Sequence, residues 1–186
     1  MKKILLLAVV MFASLNASAQ FYVGGSVGFG SVKPIGGSDS EFIFKILPEI
    51  GYNLNDQWAV GATLGYQKGV LALGSGAENI DAQYTLSKTE LFTIAPYARY
   101  TAIEWDMVKL FLDGGMAFGS YKDAGTYINV GIRPGVAICL TDEVSFVAHL
   151  GFFGFENYSP KGGGNSGSTF GVDFSNNCSF GVYFNF

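Results

Sequence analysis

Seven charged residues stand at positions where a two-residue alternation turns them away from the apolar side chains: Lys45, Glu49, Arg99, Lys109, Asp113, Arg133 and Asp173. Such groups have two uses. Packed together, they neutralise one another and fill an interior, and removing one partner of a buried pair costs about 3–5 kcal/mol. Left hydrated, they line a path for ions. The spacing sets Arg99 and Asp113 diagonal to each other across one hairpin, and Asp113 and Arg133 diagonal across the next. Diagonal neighbours lie within reach of long side chains. Glu49 falls across the interior from the strand of Arg133. We expect a Glu49–Arg99–Asp113–Arg133 network that plugs the interior, with Lys45 and Lys109 as further inward cations. An ion path is the second reading.

Other residues offer less chemistry. His149 is the only histidine. A Ser-His-acid site needs a hydroxyl within hydrogen-bond reach of the ring, and a metal site needs further His or Cys ligands nearby. His149-Leu150-Gly151 supplies neither at short spacing, so the ring is expected to be satisfied by Arg and Asp neighbours. Gly162-Gly163-Gly164-Asn165-Ser166-Gly167-Ser168 is glycine-rich but lacks the Gly-Lys-Ser/Thr ending and following helix of a phosphate cradle. Cys139 and Cys178 fall on non-neighbouring strands, too far apart for a disulfide. No catalytic residue, metal ligand or cofactor is expected.

The elements that position these residues follow from composition and pattern. A chain of 186 residues implies one domain. Charged residues make up 14%, against about 25% in ordinary soluble domains, and the net charge of −4 excludes the basic surface of a nucleic-acid binder. Yet the long apolar run, 4–13, falls short of the roughly 20 residues of a spanning helix. With Met1-Lys2-Lys3 before it and Ala17-Ser18-Ala19 after it, this segment reads as a cleaved export signal over 1–19, leaving one domain over 20–186.

That domain alternates with period two and shows no helical period, predicting strands over 21–30, 41–54, 58–68, 89–102, 107–121, 127–140, 144–155 and 170–186. In the fifth, Val108, Leu110, Leu112, Met116 and Phe118 oppose Lys109, Asp113 and Gly115. In the seventh, Val144, Phe146, Leu150 and Phe152 share the apolar face. In the last, Asn176 and Cys178 interrupt an apolar row, predicting a bulge. Pro48, Pro96 and Pro134 fall inside predicted strands, a cost in an ordinary sheet.

Short turns (53–57, 103–106, 141–143) alternate with longer Gly/Ser-rich connections (31–40, 70–88, 158–169), with 122–126 a short exception. The non-apolar face is mostly Gly, Ser, Thr and Asn, which suit a cramped lumen better than a solvent face. Aromatic residues gather near the strand ends, with Tyr52, Trp58, Tyr100, Trp105 and Phe186 at one end and Tyr66, Phe92, Phe118, Tyr121 and Tyr127 at the other. Together these predict an all-β fold, an eight-stranded antiparallel transmembrane β-barrel with its apolar face toward lipid.

The closing Phe180-Gly181-Val182-Tyr183-Phe184-Asn185-Phe186 resembles the C-terminal strand of the small outer-membrane β-barrel family of Gram-negative bacteria, the OmpA/OmpX-type eight-stranded barrels. The resemblance implies a monomer integral to the cell outer membrane, in contact with outer-membrane lipids and lipopolysaccharide. It also implies that Phe180, Val182, Phe184 and Phe186 are read by the barrel assembly machinery. The expected role is structural, or adhesion and host-factor binding through the long connections, of which 70–88 is the longest. The alternative is a narrow porin-like channel. A lipid A-modifying enzyme ranks third, because His149 lacks the His-x-Ser spacing of lipid A deacylases.

Overall fold

The computed structural model describes residues 21–33, 39–69, 89–162 and 165–186. The export signal, the whole 70–88 connection, residues 34–38, Gly163, Gly164 and the side chains of Val32, Ser175, Asn176, Asn177 and Cys178 lie outside the described residues.

Eight strands form: β1 Phe21–Val32, β2 Glu41–Asn53, β3 Trp58–Lys68, β4 Glu90–Trp105, β5 Val108–Tyr121, β6 Gly125–Cys139, β7 Val144–Pro160 and β8 Gly167–Asn185. Each pairs antiparallel with its sequence neighbours, and β1 pairs with β8 to close a barrel. Side chains alternate across a strand, so one set of residues points out and the other into the lumen. Leu112, Met116, Phe118, Val130 and Ile132 are exposed on the outer wall, while Tyr22, Tyr97, Phe111 and Tyr183 are buried inside. Most of the large apolar residues are thus exposed, the arrangement of a wall made to face hydrocarbon, with Ile43, Phe111 and Val147 among the few that are buried inside. Ring pairs lie near both rims: Trp58–Tyr100 at 4.9 Å on the short-turn side and Phe44–Tyr66 at 5.7 Å on the long-connection side.

The small inward residues have a packing reason. Gly51 and Gly61 lie beneath the rings of Tyr22 and Tyr97, where a Cβ would enter the ring. Small residues on one strand therefore make room for aromatic residues on others.

Each of the three prolines is accommodated by the same device. Pro48 pairs with Gly25 of β1 but lies in a gap of the β2–β3 ladder. Pro96 pairs with Ala62 of β3 but lies in a gap of the β4–β5 ladder. Pro134 pairs with Leu112 of β5 but lies in a gap of the β6–β7 ladder. Proline has no N–H to donate, so the ladder opens on that one side only.

Three local expectations are corrected. Phe152 points into the lumen, not to lipid: at Gly151 the φ of +83° makes a bulge that reverses the parity of β7, so Phe153 and Phe155 take the outward positions. Glycine alone adopts this conformation without strain. Across the same bulge the pairing jumps from Leu150↔Cys178 to Phe152↔Asp173, so residues 174–177 of β8 stand opposite Gly151 alone. Tyr127 belongs to the lumen rather than to the outer girdle, since its hydroxyl meets that of Thr93 at 3.0 Å. Finally, Arg99, Asp113 and Arg133 are directly opposite in register rather than diagonal.

Candidate functional site

The inward parity of β2, β4, β5 and β7 brings Glu49, Arg99, Asp113 and His149 together near mid-barrel. Arg99 grips Asp113 as a fork: Nε donates to Oδ1 at 2.7 Å and Nη2 to Oδ2 at 2.8 Å. Such bidentate pairs are among the stronger charge-assisted hydrogen bonds. The same Nη2 lies 3.4 Å from Glu49 Oε1. His149 Nε2 lies 2.9 Å from Asp113 Oδ2, on the side away from the fork's Nε.

Hydroxyls complete the coordination of Glu49. Tyr97 donates to Oε1, Tyr183 donates to Oε2 at 2.8 Å, and Thr63 donates to Oε2 at 3.3 Å. Because Tyr97 gives its proton to Glu49, Tyr22 is the donor in the 2.6 Å contact between the two tyrosines. The guanidinium of Arg99 also lies 4.0 Å over the Phe111 ring, with Tyr97, Tyr22 and Tyr183 all within 5.7 Å. A ring face is electronegative, so the cation gains from aromatic walls as well as from carboxylates. Among the described residues no buried side-chain nitrogen or oxygen lacks a partner. The result is a closed layer of buried carboxylates, one arginine and four aromatic rings.

Space lies on both sides of this layer. Toward the short turns there is a vestibule of about 680 Å³, with Arg99, Lys109, Glu104 and Asp56 on its walls. Toward the long connections there is a cavity of about 210 Å³, with Lys45, Arg133, Gln67, Tyr127 and Glu156 on its walls. Only about 30 Å³ is free beside Glu49, Asp113 and His149.

Of the residues singled out in the sequence, Glu49, Arg99 and Asp113 therefore meet. Arg133 faces Asp113 in register, but forms no ion pair among the described residues and lines the long-connection cavity with Lys45. Lys109 pairs with Glu104 at 2.8 Å in the short-turn vestibule. Asp173 stands opposite Phe152. Phe180, Val182, Phe184 and Phe186 all face outward, and the N–H of Phe186 donates to Phe21 O at 2.8 Å beside the β1–β8 seam.

The aromatic half of the layer was not anticipated. Tyr22 and Tyr97 carried a signal, inward parity among small residues, but parity does not say which rings converge. The sequence also hid a hydroxyl near His149, because Ser179 comes from the facing strand; its Oγ lies 3.5 Å from Nδ1. That distance is long for an activated nucleophile, and the acid of the series is held by Arg99. Among the described residues no group of His, Cys, Asp and Glu is arranged to hold a metal.

Residues 4–186 match the family described as outer membrane protein beta-barrel domain. Among solved structures, the chain is similar to Neisserial surface protein A (NspA), with 20% identity, 89% of this chain and 97% of that chain covered, and a TM-score of 0.53. It is also similar to the outer membrane protein OprG of Pseudomonas aeruginosa, with 14% identity, 91% and 96% covered, and a TM-score of 0.50. At such identities the likeness is one of fold. No curated protein matches the sequence. The family match spans the closed eight-stranded wall and its lumen layer alike, and the chain belongs to the outer-membrane β-barrel proteins.

Proposed function

We propose that this barrel does not conduct, and that it serves the outer membrane as a structural and surface-interaction protein acting through its long connections. The layer around Arg99 carries this reading. Its carboxylates are buried and partnered, and the space beside them is about 30 Å³, little more than one water needs. A solute path would have to break the Arg99–Asp113 fork and displace four rings. Outside the wall, the partners are membrane lipid and lipopolysaccharide, and during biogenesis the assembly machinery, for which Phe180, Val182, Phe184 and Phe186 present an outward row.

The test is deletion of 74–84 in the longest connection, followed by assay of cell and matrix binding. Loss of binding with the barrel still folded supports the surface role, and unchanged binding contradicts it. A narrow channel is the second reading. It is favoured by the vestibules on both sides, which leave one layer of side chains between two water-accessible spaces.

A further inference from the structure

Two cations reach one space from opposite walls of the barrel. Lys45 points inward from β2 and Arg133 from β6, four strands away in a closed ring of eight. Both line the cavity of about 210 Å³ on the long-connection side of the Arg99 layer. There the charge of each acts on the other. The carboxylates of the layer below are already engaged. Glu49 accepts from Tyr97, Tyr183 and Thr63 and meets Arg99, while Asp113 is held by the Arg99 fork and by His149. Among the described residues, neither Lys45 nor Arg133 makes an ion pair. Two like charges confined in one lumen repel, and an anion between them turns that repulsion into attraction.

Neutral donors border the same space. The hydroxyls of Thr93 and Tyr127 lie 3.0 Å apart. One proton serves that bond, so the accepting hydroxyl keeps its own proton for a ligand. Asn129 adds a side-chain amide. Toward the long connections the character of the wall changes. Glu156 stands opposite Asn129, which lies four residues along β6 from Arg133, or roughly 13 Å at about 3.3 Å per residue. The ring of Phe152, turned inward by the Gly151 bulge, forms part of the wall on the strand of Glu156. The cavity is therefore ordered along the barrel: cations nearest the Arg99 layer, then hydroxyl and amide donors beside a ring, then a carboxylate.

We propose that this cavity binds a small phosphate monoester with a hydroxylated body, a sugar or polyol phosphate. Its phosphate sits between Lys45 and Arg133, and its body lies along Phe152 with its hydroxyls toward Asn129 and Glu156. Near pH 7 a phosphate monoester carries a charge of about −1.5 to −2 and three strong acceptor oxygens. That matches two cations and one hydroxyl donor. A guanidinium takes two oxygens as a fork, and an ammonium takes another as a point charge. A carboxylate ligand brings one charge and two oxygens, which leaves one of the two cations unmatched. Glu156 accepts hydrogen bonds from the hydroxyls of the body and repels a second phosphate, so it selects a monoester over a polyphosphate. The site lies to one side of the Arg99 layer, so it requires neither conduction nor a partner for the long connections.

The test is isothermal titration calorimetry of the folded barrel in non-ionic detergent with glucose 6-phosphate. Saturable binding at one site per barrel is expected. Glucose 6-sulfate, with the same body and a single negative charge, should bind about tenfold more weakly, and glucose should give no saturable heat. Lys45→Gln relieves a like-charge pair, so the barrel should still fold, as heat-modifiable gel mobility reports, while affinity for glucose 6-phosphate falls about tenfold or more. Glu156→Gln should weaken glucose 6-phosphate but not inorganic phosphate, which separates the two ends of the site. Lys109→Gln, in the short-turn vestibule, should leave binding unchanged. The whole chain is used, so a carboxylate of 70–88 held against the two cations would show itself as an absence of binding. No saturable binding by the wild-type barrel, undiminished binding by Lys45→Gln, or equal affinity for glucose 6-phosphate and inorganic phosphate overturns the assignment.

Discussion

Arg99 and Asp113 face each other across the β4–β5 ladder, and their side chains close a two-bond fork inside the lumen, at 2.7 and 2.8 Å. Both are inward by parity, so the contact needs no long detour of either chain. Glu49 and His149 then converge on the fork from two other strands. One register pair thus anchors a layer to which β1, β2, β3, β4, β5, β7 and β8 all contribute a side chain.

Removing the cation should be costly. Arg99→Met leaves Asp113 and Glu49 buried with their charge uncompensated, and the expected loss is about 3–5 kcal/mol. Urea unfolding of the barrel in lipid vesicles measures it. A loss below about 1 kcal/mol, the range of an exposed pair, would show that the layer is hydrated rather than packed.

The glycines of the wall make a contrasting pair. Gly51→Leu forces a side chain into the Tyr22 ring and should destabilise by about 1–3 kcal/mol, the range of overpacked cores. A Cβ at Gly114 would meet no neighbouring atom within 4 Å, so Gly114→Ala should be neutral within about 0.5 kcal/mol. Equal effects in the same unfolding assay would contradict the inward packing.

The lipid wall can be probed by charge. Met116 is exposed on the outer face in the middle of β5, and Met116→Arg should cost about 2–4 kcal/mol if the residue lies near the bilayer midplane. Folding in vesicles of thick and thin lipid reads this directly. Unchanged stability would place that face in water.

The last residue tests assembly rather than stability. Phe186 is exposed, and its backbone N–H already closes against Phe21 O. Phe186→Ala keeps that bond. It should lower the amount of folded barrel in the outer membrane several-fold while leaving urea stability almost unchanged. Equal membrane levels, followed by heat-modifiable gel mobility, would show that the terminal ring is only lipid-facing.

Much of the fold was legible because alternation with period two survives through most of every strand. The row from Val108 to Phe118 shows which face is which without any tertiary information. Legibility ended where a single residue reset the parity. Gly151 reads like any other inward glycine, yet its positive φ turns Phe152 inward and carries Phe153 and Phe155 outward. The site was half legible for a related reason. Inward charge identified Glu49, Arg99 and Asp113, but the distance around the barrel between β1, β4 and β8 hid the meeting of Tyr22, Tyr97 and Tyr183. Arg133 shows the limit in the other direction: correct facing and direct register with Asp113 did not make an ion pair, because Arg99 and His149 already occupy that carboxylate.

Single-channel recording in planar lipid bilayers tests the closed lumen most directly. With the Arg99 layer intact, the wild-type barrel should insert and give no steady ion conductance. A sustained open conductance from folded wild-type barrel would contradict the packed layer and favour the channel.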